Sequence, residues 1–273
     1  MDISVNSEHL KPFLKWAGGK RWLTRSYFHV FPDNYERYIE PFLGGGAVFF
    51  WLSPEEAILG DVNHELIETY SAIKTNWRKV VELLSYHQKR HSHDYYYKMR
   101  LNIPGTKAER AARFIYLNRT CWNGLYRVNL AGEFNVPIGT KSTVISEEDD
   151  FERQAKILRR ANLLKVDFEV LVNEAKKNDL LFVDPPYTVT HNFNGFVKYN
   201  ERLFSWEDQE RLFYALCRAK HRGVKIIATN AFHEAIYKLY SKKFKLIEAK
   251  RFSVISGDSI HRKSIEEYII LAN

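Results

Sequence analysis

The chain has 273 residues, a hydrophobic content of 45% and a formal net charge of +8. This composition is typical of a folded globular protein, and no apolar run approaches the ~20 residues of a membrane span, so we predict a soluble protein. A basic balance favours a polyanionic partner, because lysine and arginine displace counterions from phosphates. Residues 1–8 lack a basic start and an apolar stretch, and Cys121 and Cys217 lie far apart without ligand spacing. We therefore expect no secretory signal, a reducing cytoplasm and free thiols.

The first part of the chain predicts the start of a parallel α/β sheet. Residues 13–20 form a short apolar piece and a glycine turn, and a helix is predicted to follow over residues 21–31. Residues 38–50 predict a strand, a second glycine turn and a helix start, which is also the opening pattern of nucleotide-binding sheets. A second strand, residues 57–60, ends at Asp61, where such folds bind ribose hydroxyls. The alternative is that Asp61 caps the following helix.

The middle of the chain changes to apolar residues at helical spacing. This pattern predicts a mainly helical insertion over residues 64–160 that carries several basic clusters. After it, apolar runs alternate with helical stretches and predict a mostly parallel sheet. The runs are residues 163–168, 180–183, 224–229, 244–247 and 267–271. A short loop joins the last two runs, which predicts that they pair antiparallel.

An acid, two prolines and a tyrosine directly follow the buried run of residues 180–183. They are Asp184, Pro185, Pro186 and Tyr187. The run predicts a strand that ends at the sheet edge where α/β folds place their ligands. Two prolines stop the strand and hold the backbone extended, so the acid and the ring are fixed relative to each other. This arrangement suits a flat ring that bears an amino group, and an ordinary turn is the alternative interpretation.

Six segments in chain order resemble the Dam-like family of adenine-specific DNA methyltransferases. They are residues 13–20 (Phe-Leu-Lys-Trp-Ala-Gly-Gly-Lys), 40–46 (Glu-Pro-Phe-x-Gly-x-Gly), 61–63 (Asp-x-Asn), 117–129 (Leu-Asn-Arg-x-x-x-Asn-Gly-Leu-x-Arg-x-Asn), 132–137 (Gly-x-Phe-Asn-Val-Pro) and 184–187 (Asp-Pro-Pro-Tyr). The resemblance implies a Rossmann-like, S-adenosylmethionine-dependent α/β sheet. It divides this sheet between residues 1–63 and 161–273, with an inserted, mainly helical DNA-recognition domain over residues 64–160.

The resemblance also implies a cofactor site and no metal. The cofactor contacts would be Trp16, Lys20, Phe42, Gly44, Asp61, Phe168 and Asp184. The residue chemistry agrees, since a carboxylate accepts ribose hydroxyls and acids favour a sulfonium cation. The catalytic residues would be those of 184–187. The Asp184 carboxylate and the Pro185 carbonyl would accept the hydrogens of the adenine amine, while Tyr187 stacks on a base turned out of the duplex.

The implied DNA contacts lie mostly in the helical insertion. They are Arg119, Trp122, Asn123, Leu125, Arg127, Asn135, Pro137 and Tyr199. Trp122 would intercalate, Arg127 would read a guanine in the major groove, and Tyr199 would contact the flipped base from a closing loop. For Arg119, a structural salt bridge or a phosphate contact is favoured over base reading.

The recognition sequence stays open. GATC-specific relatives usually follow Asn-Val-Pro with an aromatic, Gly, Arg and Tyr, whereas residues 137–141 read Pro-Ile-Gly-Thr-Lys. Thr140 thus departs from their pattern, although Arg127 is kept. The alternative functions are a cytosine-N4 DNA methyltransferase, a protein-glutamine or RNA methyltransferase, and a non-catalytic DNA-binding module with a relict cofactor pocket. We expect a monomeric partner of double-stranded DNA in the cytoplasm, prokaryotic or phage-encoded, with a companion restriction endonuclease as an open question.

Overall fold

The computed structural model describes residues 9–129, 132–188, 204–252 and 264–272, without the side chains of residues 251, 252, 264 and 265. The helices are α1 (Arg21–Ser26), α2 (Ala47–Leu52), α3 (His64–Arg90), α4 (His93–Leu101), α5 (Lys107–Thr120), α6 (Phe151–Leu158), α7 (Phe168–Glu174), α8 (Trp206–His221) and α9 (Glu234–Tyr240). The strands are β1 (Tyr38–Glu40), β2 (Ala57–Asp61), β3 (Ala161–Lys165), β4 (Leu180–Val183), β5 (Lys225–Ala231), β6 (Lys245–Phe252) and β7 (Ser264–Ala272).

The strands form a seven-stranded sheet in the order β3-β2-β1-β4-β5-β7-β6. β1 pairs in parallel with β2 and with β4, and β4 pairs in parallel with β5. β7 runs antiparallel to both β5 and β6, which confirms the predicted pairing of the last two strands. The chain order reverses between β1 and β4, and open α/β sheets bind their ligands at such a reversal, outside the carboxyl ends of the strands.

The described residues divide into two compact units. The first contains the described parts of Met1–Ser26, Leu43–Glu55 and Asn63–Lys165, and the second those of Tyr27–Phe42, Glu56–Val62 and Val166–Asn273. The core of the first unit includes the fully buried side chains of Tyr70, Leu84 and Ile115 from α3 and α5. The predicted division into catalytic and DNA-recognition domains concerns function and stays a prediction.

Two predicted elements end earlier than expected. The strand predicted over residues 163–168 stops at Lys165, because the Asp167 side chain accepts a hydrogen bond from the Glu169 backbone at 2.9 Å and caps α7. Phe168 is therefore the first residue of a helix. The helix predicted over residues 21–31 stops at Ser26, since Tyr27 has non-helical dihedrals, and a 3-10 turn (Phe28–Val30) follows.

The structure also describes the cysteines and the length and apolarity of the helices. Cys121 and Cys217 are free thiols, as expected. Within the described ranges, no helix has the length and apolarity needed to cross a membrane.

Candidate active site and nucleic-acid interface

Three acidic side chains stand at the carboxyl ends of neighbouring parallel strands in the second unit. Glu40 is the last residue of β1, Asp61 is the last residue of β2, and Asp184 directly follows β4. Because β1 lies between the other two strands, the three carboxyl groups share one edge of the sheet. Asn63, not Asp61, caps α3, accepting the Leu66 N–H at 3.1 Å, so the alternative interpretation of Asp61 as the cap is wrong.

Glu40 is the most buried of these acids, with 3% of its surface exposed. Burial raises its pKa well above the usual value, and the negative charges of Asp184 and Asp61 act in the same direction. The hydrogen bond from the Tyr38 hydroxyl, 2.8 Å long, opposes this rise only in part. Since like charges at one edge of the sheet repel each other, a positively charged ligand is favoured here.

The stability of Glu40→Gln relative to wild type is expected to increase as the pH rises. A carboxyl whose pKa is raised by folding stabilises the folded state below its unfolded pKa, and this stability is lost as the pH rises toward the folded value. Glutamine keeps an acceptor for Tyr38 and carries no charge. The melting temperature of the variant relative to wild type should therefore increase between pH 5 and pH 8, by about 2 °C or more. A melting-temperature difference that stays constant or decreases across this range would contradict a raised pKa for Glu40.

The second unit also holds a cluster of aromatic rings. The Phe42 and Phe168 rings are stacked, with centroids 5.3 Å apart at an angle of 22°. Phe204 packs 5.6 Å from each of them. The Arg211 guanidinium lies 4.4 Å above Phe168 and is held by Asp167 at 2.8 Å. The two predicted aromatic cofactor residues are thus in contact, with Phe168 buried and Phe42 half-buried. A partly exposed phenyl face such as that of Phe42 suits a flat heteroaromatic ring.

The Asp-Pro-Pro-Tyr segment follows β4, as the sequence predicts. The Asp184 Oδ1 atom accepts a hydrogen bond of 2.7 Å from the Thr229 hydroxyl on β5. The Tyr187 hydroxyl donates to Glu267 Oε2 on β7 at 2.6 Å. Burial, together with the charges of Glu267 and Asp184, raises the pKa of Tyr187 well above its usual value, so the phenol stays neutral.

Trp16, Lys20 and Gly44 lie in the first unit, where two glycine turns meet the tryptophan ring. A Cβ at Gly44, whose φ is +45°, would come within 2.7 Å of Trp16 Cδ1. Only glycine permits this approach of backbone to ring. Lys20 is 4% exposed, and its ammonium donates to the Gly18 carbonyl at 2.7 Å. A flat indole beside a turn of this kind can bind a nucleoside through ring contacts and backbone amides.

Asn118 joins the Lys15 backbone to the turn that follows α5. Its Oδ1 accepts the Lys15 N–H at 2.9 Å, and its Nδ2 donates to the Lys15 and Gly124 carbonyls at 2.8 and 3.3 Å. The Trp16 and Tyr126 rings are stacked at 5.5 Å, and the Tyr126 hydroxyl donates to Glu65 at 2.7 Å. The turn is therefore held on the N-terminal segment by both a polar and an aromatic contact.

The turn presents Trp122 toward solvent, with 53% of its surface exposed. Trp122 lies in a 3-10 turn (Trp122–Gly124), in which Asn123 has a φ of +55° and is exposed. The Trp122 N–H donates to the Pro137 carbonyl at 2.9 Å. A Cβ at Gly139 would lie 2.6 Å from the Cys121 carbonyl oxygen, so the two segments fit together only because this residue is glycine. Trp122 and Pro137 are thereby brought together as exposed neighbours.

Arg127 is exposed and lies on a short hairpin. Its Nε atom donates to Asn135 Oδ1 at 3.0 Å, and the Asn135 N–H donates to the Arg127 carbonyl at 3.2 Å. Among the described residues, the two terminal guanidinium nitrogens have no hydrogen-bond partner, so this fork can meet a guanine edge. Leu125 follows the turn and is half-buried, and its N–H donates to the Trp122 carbonyl at 3.3 Å.

Arg119 has a different environment from the other predicted DNA contacts. It is 8% exposed, and its guanidinium donates to the Phe13 carbonyl at 2.8 Å and to the Val144 carbonyl at 2.6 Å. It also forms a bidentate pair with Asp149. Since its donors are used inside the protein, the geometry favours the structural salt bridge over a base contact.

Arg119→Met is expected to destabilise the fold by about 3–5 kcal/mol, because it leaves the Asp149 carboxylate buried without its partner. The midpoint of urea unfolding, compared with wild type and with Arg127→Ala, measures this effect. Arg127→Ala should leave the midpoint nearly unchanged, since Arg127 is exposed. A stable Arg119→Met protein with weakened DNA binding would instead assign Arg119 to the DNA.

Tyr199 lies outside the described residues. Four residues that contact the site were not among the catalytic, cofactor-binding or DNA-binding residues predicted from the sequence, namely Glu40, Asn118, Thr229 and Glu267. Glu40 carried a signal, since it ends a buried strand, whereas Thr229 and Glu267 are distant in sequence from the residues that they contact.

The sheet order and the residues at its edge define the class, a Rossmann-like α/β fold of the kind used by methyltransferases. A family model for D12 class N6 adenine-specific DNA methyltransferases matches residues 16–255 of this chain. The chain therefore belongs to this family and is an adenine-specific DNA methyltransferase.

Similar proteins span the whole length of the chain. The Type II methyltransferase M1.LlaDCHI of Lactococcus lactis subsp. cremoris is 36% identical over 98% of this chain and 97% of its own length. The Type II methyltransferase M.MjaIII of Methanocaldococcus jannaschii is 34% identical, covering 96% of this chain and 99% of that protein. The DNA adenine methylase of Haemophilus influenzae is 33% identical, covering 96% and 93%.

Proposed function

We propose that this protein transfers a methyl group from S-adenosylmethionine to N6 of an adenine that is turned out of a short duplex site. The observation that carries the proposal is the position of Asp184 to Tyr187 at the carboxyl end of β4, beside Glu40 and Asp61. This edge offers carboxylate acceptors for an amine and negative charge for a sulfonium.

The cofactor residues fit such a molecule in their chemistry. Asp61, with two carboxylate oxygens, would accept the ribose hydroxyls, and the Phe42–Phe168 pair would hold the adenine ring. Trp16 and Lys20 would contact the cofactor from the first glycine turn, and Gly44 from the second. The glycine that packs against Trp16 supports this role, because a larger residue would fill the space beside the ring.

S-adenosylmethionine supplies a methyl group on a positively charged sulfur, and the carbon–sulfur bond breaks as the carbon–nitrogen bond forms. The Asp184 carboxylate and the Pro185 carbonyl accept the two amine hydrogens and so direct the nitrogen lone pair toward the methyl group. Tyr187 stacks on the target base, an interaction worth about 1–3 kcal/mol. The amine becomes acidic only as the bond forms, and its proton then leaves through Asp184. Alignment and electrostatics supply most of the rate.

Most of the proposed recognition residues lie on the exposed part of the first unit. Trp122 would fill the gap left by the flipped base, and Arg127 would bind a guanine through its fork. Leu125 and Pro137 would make apolar base contacts, and Asn123 and Asn135 would support them. We propose a site that contains a guanine next to the target adenine, with GATC as the first sequence to test. Tyr199 would contact the flipped base.

The experiment is methyl transfer by the purified protein to duplex oligonucleotides, followed by mass spectrometry of the released nucleosides. N6-methyladenine with stoichiometric S-adenosylhomocysteine is the expected result. N4-methylcytosine would favour the cytosine enzyme, and absent S-adenosylmethionine binding in calorimetry would favour a DNA-binding module with a relict pocket. A duplex with 2-aminopurine at the target position should gain fluorescence on binding if the base is flipped.

The protein's partners are also proposals. We propose that it acts as a monomer on duplex DNA in the cytoplasm, beside a restriction endonuclease that cuts the same site. The relatives named Type II methyltransferases support this pairing. DNA from cells that express the protein should resist an endonuclease that recognises the same sequence and is blocked by adenine methylation, and sedimentation should give the mass of one chain.

A further inference from the structure

Two strand residues that have no role in the mechanism above form hydrogen bonds with the Asp-Pro-Pro-Tyr segment. Val183, the last residue of β4, is in register with Ala228 of β5, so Thr229 stands level with Asp184. Across the antiparallel β5–β7 pair, Ala231 faces Glu267. Both side chains are buried, with 0% of Thr229 and 1% of Glu267 exposed.

The contacts reach the two functional groups of the segment. The Thr229 hydroxyl donates to Asp184 Oδ1 at 2.7 Å, and Glu267 Oε2 accepts the Tyr187 hydroxyl at 2.6 Å. The last torsion of an aspartate or tyrosine side chain has broad energy wells, so the backbone alone does not determine how the carboxylate or the ring is placed. A hydrogen bond to a charged group is among the stronger ones, and burial strengthens it further.

We propose that Thr229 and Glu267 are positioning residues for methyl transfer, with Thr229 holding the orientation of the Asp184 carboxylate and Glu267 anchoring the hydroxyl end of the Tyr187 side chain. This inference rests on the proposed function, since it concerns the groups that hold the target adenine. Both residues would act through the groups to which they are hydrogen-bonded. The β5–β7 pair thus acts as a rigid support on which the amine acceptor and the stacking ring are aligned, as precise sites require.

The first test uses Thr229→Val, which removes the hydroxyl and keeps the shape of the side chain. Because the lost bond is to a charged group, kcat should fall about 10- to 100-fold, while KM for DNA and for S-adenosylmethionine changes less than about threefold. Thr229→Ser, which restores the hydroxyl, should recover kcat to within about threefold of wild type. If Thr229→Val does not fold, Thr229→Ala removes the same hydroxyl and carries the same expectation.

The matched control is Thr69→Val. Thr69 is also buried, and its hydroxyl donates to the Glu65 carbonyl within α3 at the same distance of 2.7 Å. This variant should keep wild-type kcat. Wild-type kcat in Thr229→Val, or equal loss in the Ser and Val variants, would overturn the role of Thr229. Asp184→Ala separates the two ideas, because full turnover in that variant would refute the proposed function itself.

The second test is a double-mutant cycle of Glu267→Gln and Tyr187→Phe. If Glu267 acts through the tyrosine hydroxyl, the double variant should be no slower than the slower single variant. Effects that multiply in kcat would show that Glu267 acts without Tyr187 and would overturn its assignment. Thermal unfolding of each variant separates a loss of stability from a loss of rate.

Discussion

Asp184→Ala should lower kcat by about 100- to 1000-fold, the usual effect of removing one acceptor or donor that acts in the transition state. The amine then keeps its lone pair in the ring, because the acceptor that draws its hydrogens out of the ring plane is gone. Since Asp184 is also a proposed cofactor contact, kcat is measured at saturating S-adenosylmethionine. Binding of the duplex, measured by fluorescence anisotropy, should change by less than about threefold.

The stability of this variant separates catalysis from folding. Asp184 contributes to the raised pKa of Glu40, so its removal relieves repulsion among the three acids. This relief offsets the loss of the acceptor for the buried Thr229 hydroxyl, so Asp184→Ala should melt within about 5 °C of wild type at pH 8. Asp184→Asn keeps an acceptor oxygen for the Thr229 hydroxyl and should lose less activity than the alanine variant. Turnover within about tenfold of wild type for Asp184→Ala would contradict the mechanism.

Arg127→Ala should weaken discrimination at one guanine of the recognition site. A bidentate arginine–guanine contact contributes about 1–3 kcal/mol of discrimination, so kcat/KM for the cognate duplex should fall about 10- to 100-fold. Duplexes that carry another base at this position should change little. The measurement is kcat/KM for four duplexes that differ only at the position next to the target adenine.

Two variants control for the loss of positive charge and for the loss of the hydrogen bond between Arg127 and Asn135 in the hairpin. Arg78 is another exposed arginine, with a side-chain exposure of 78%, and Arg78→Ala should leave the preference among the four duplexes unchanged. Asn135→Ala removes the side chain that accepts the Arg127 Nε–H and should weaken the preference less than Arg127→Ala does. Equal losses on all four duplexes in Arg127→Ala would assign this residue to a phosphate.

The sequence allowed the sheet to be predicted because its signals are local. The apolar run Leu180–Val183 and the prolines that follow it determine where β4 ends. The last two strands are consecutive in the chain, and no helix was predicted between them to form a parallel crossover, so their antiparallel pairing could be predicted as well. Asn63 and Asp167 were harder, because several neighbouring polar residues can cap a helix and only the backbone geometry decides between them.

The contacts that align the site could not be predicted in this way. Thr229 lies 45 residues from Asp184, and Glu267 lies 80 residues from Tyr187. Their meeting depends on the register of β5 with β4 and with β7, which no single segment encodes. Arg119 shows the same limit, since its partner Asp149 is 30 residues away. The sequence allowed a structural salt bridge or a phosphate contact for Arg119, and its burial favours the salt bridge.

The most direct test of the account is sequencing, with base-modification detection, of DNA from cells that express the wild-type protein or Asp184→Ala. N6-methyladenine is expected in one short motif that contains a guanine next to the modified base, and no such signal is expected with the variant. Modified cytosine, modified adenine without a defined motif, or an equal signal from Asp184→Ala would contradict it.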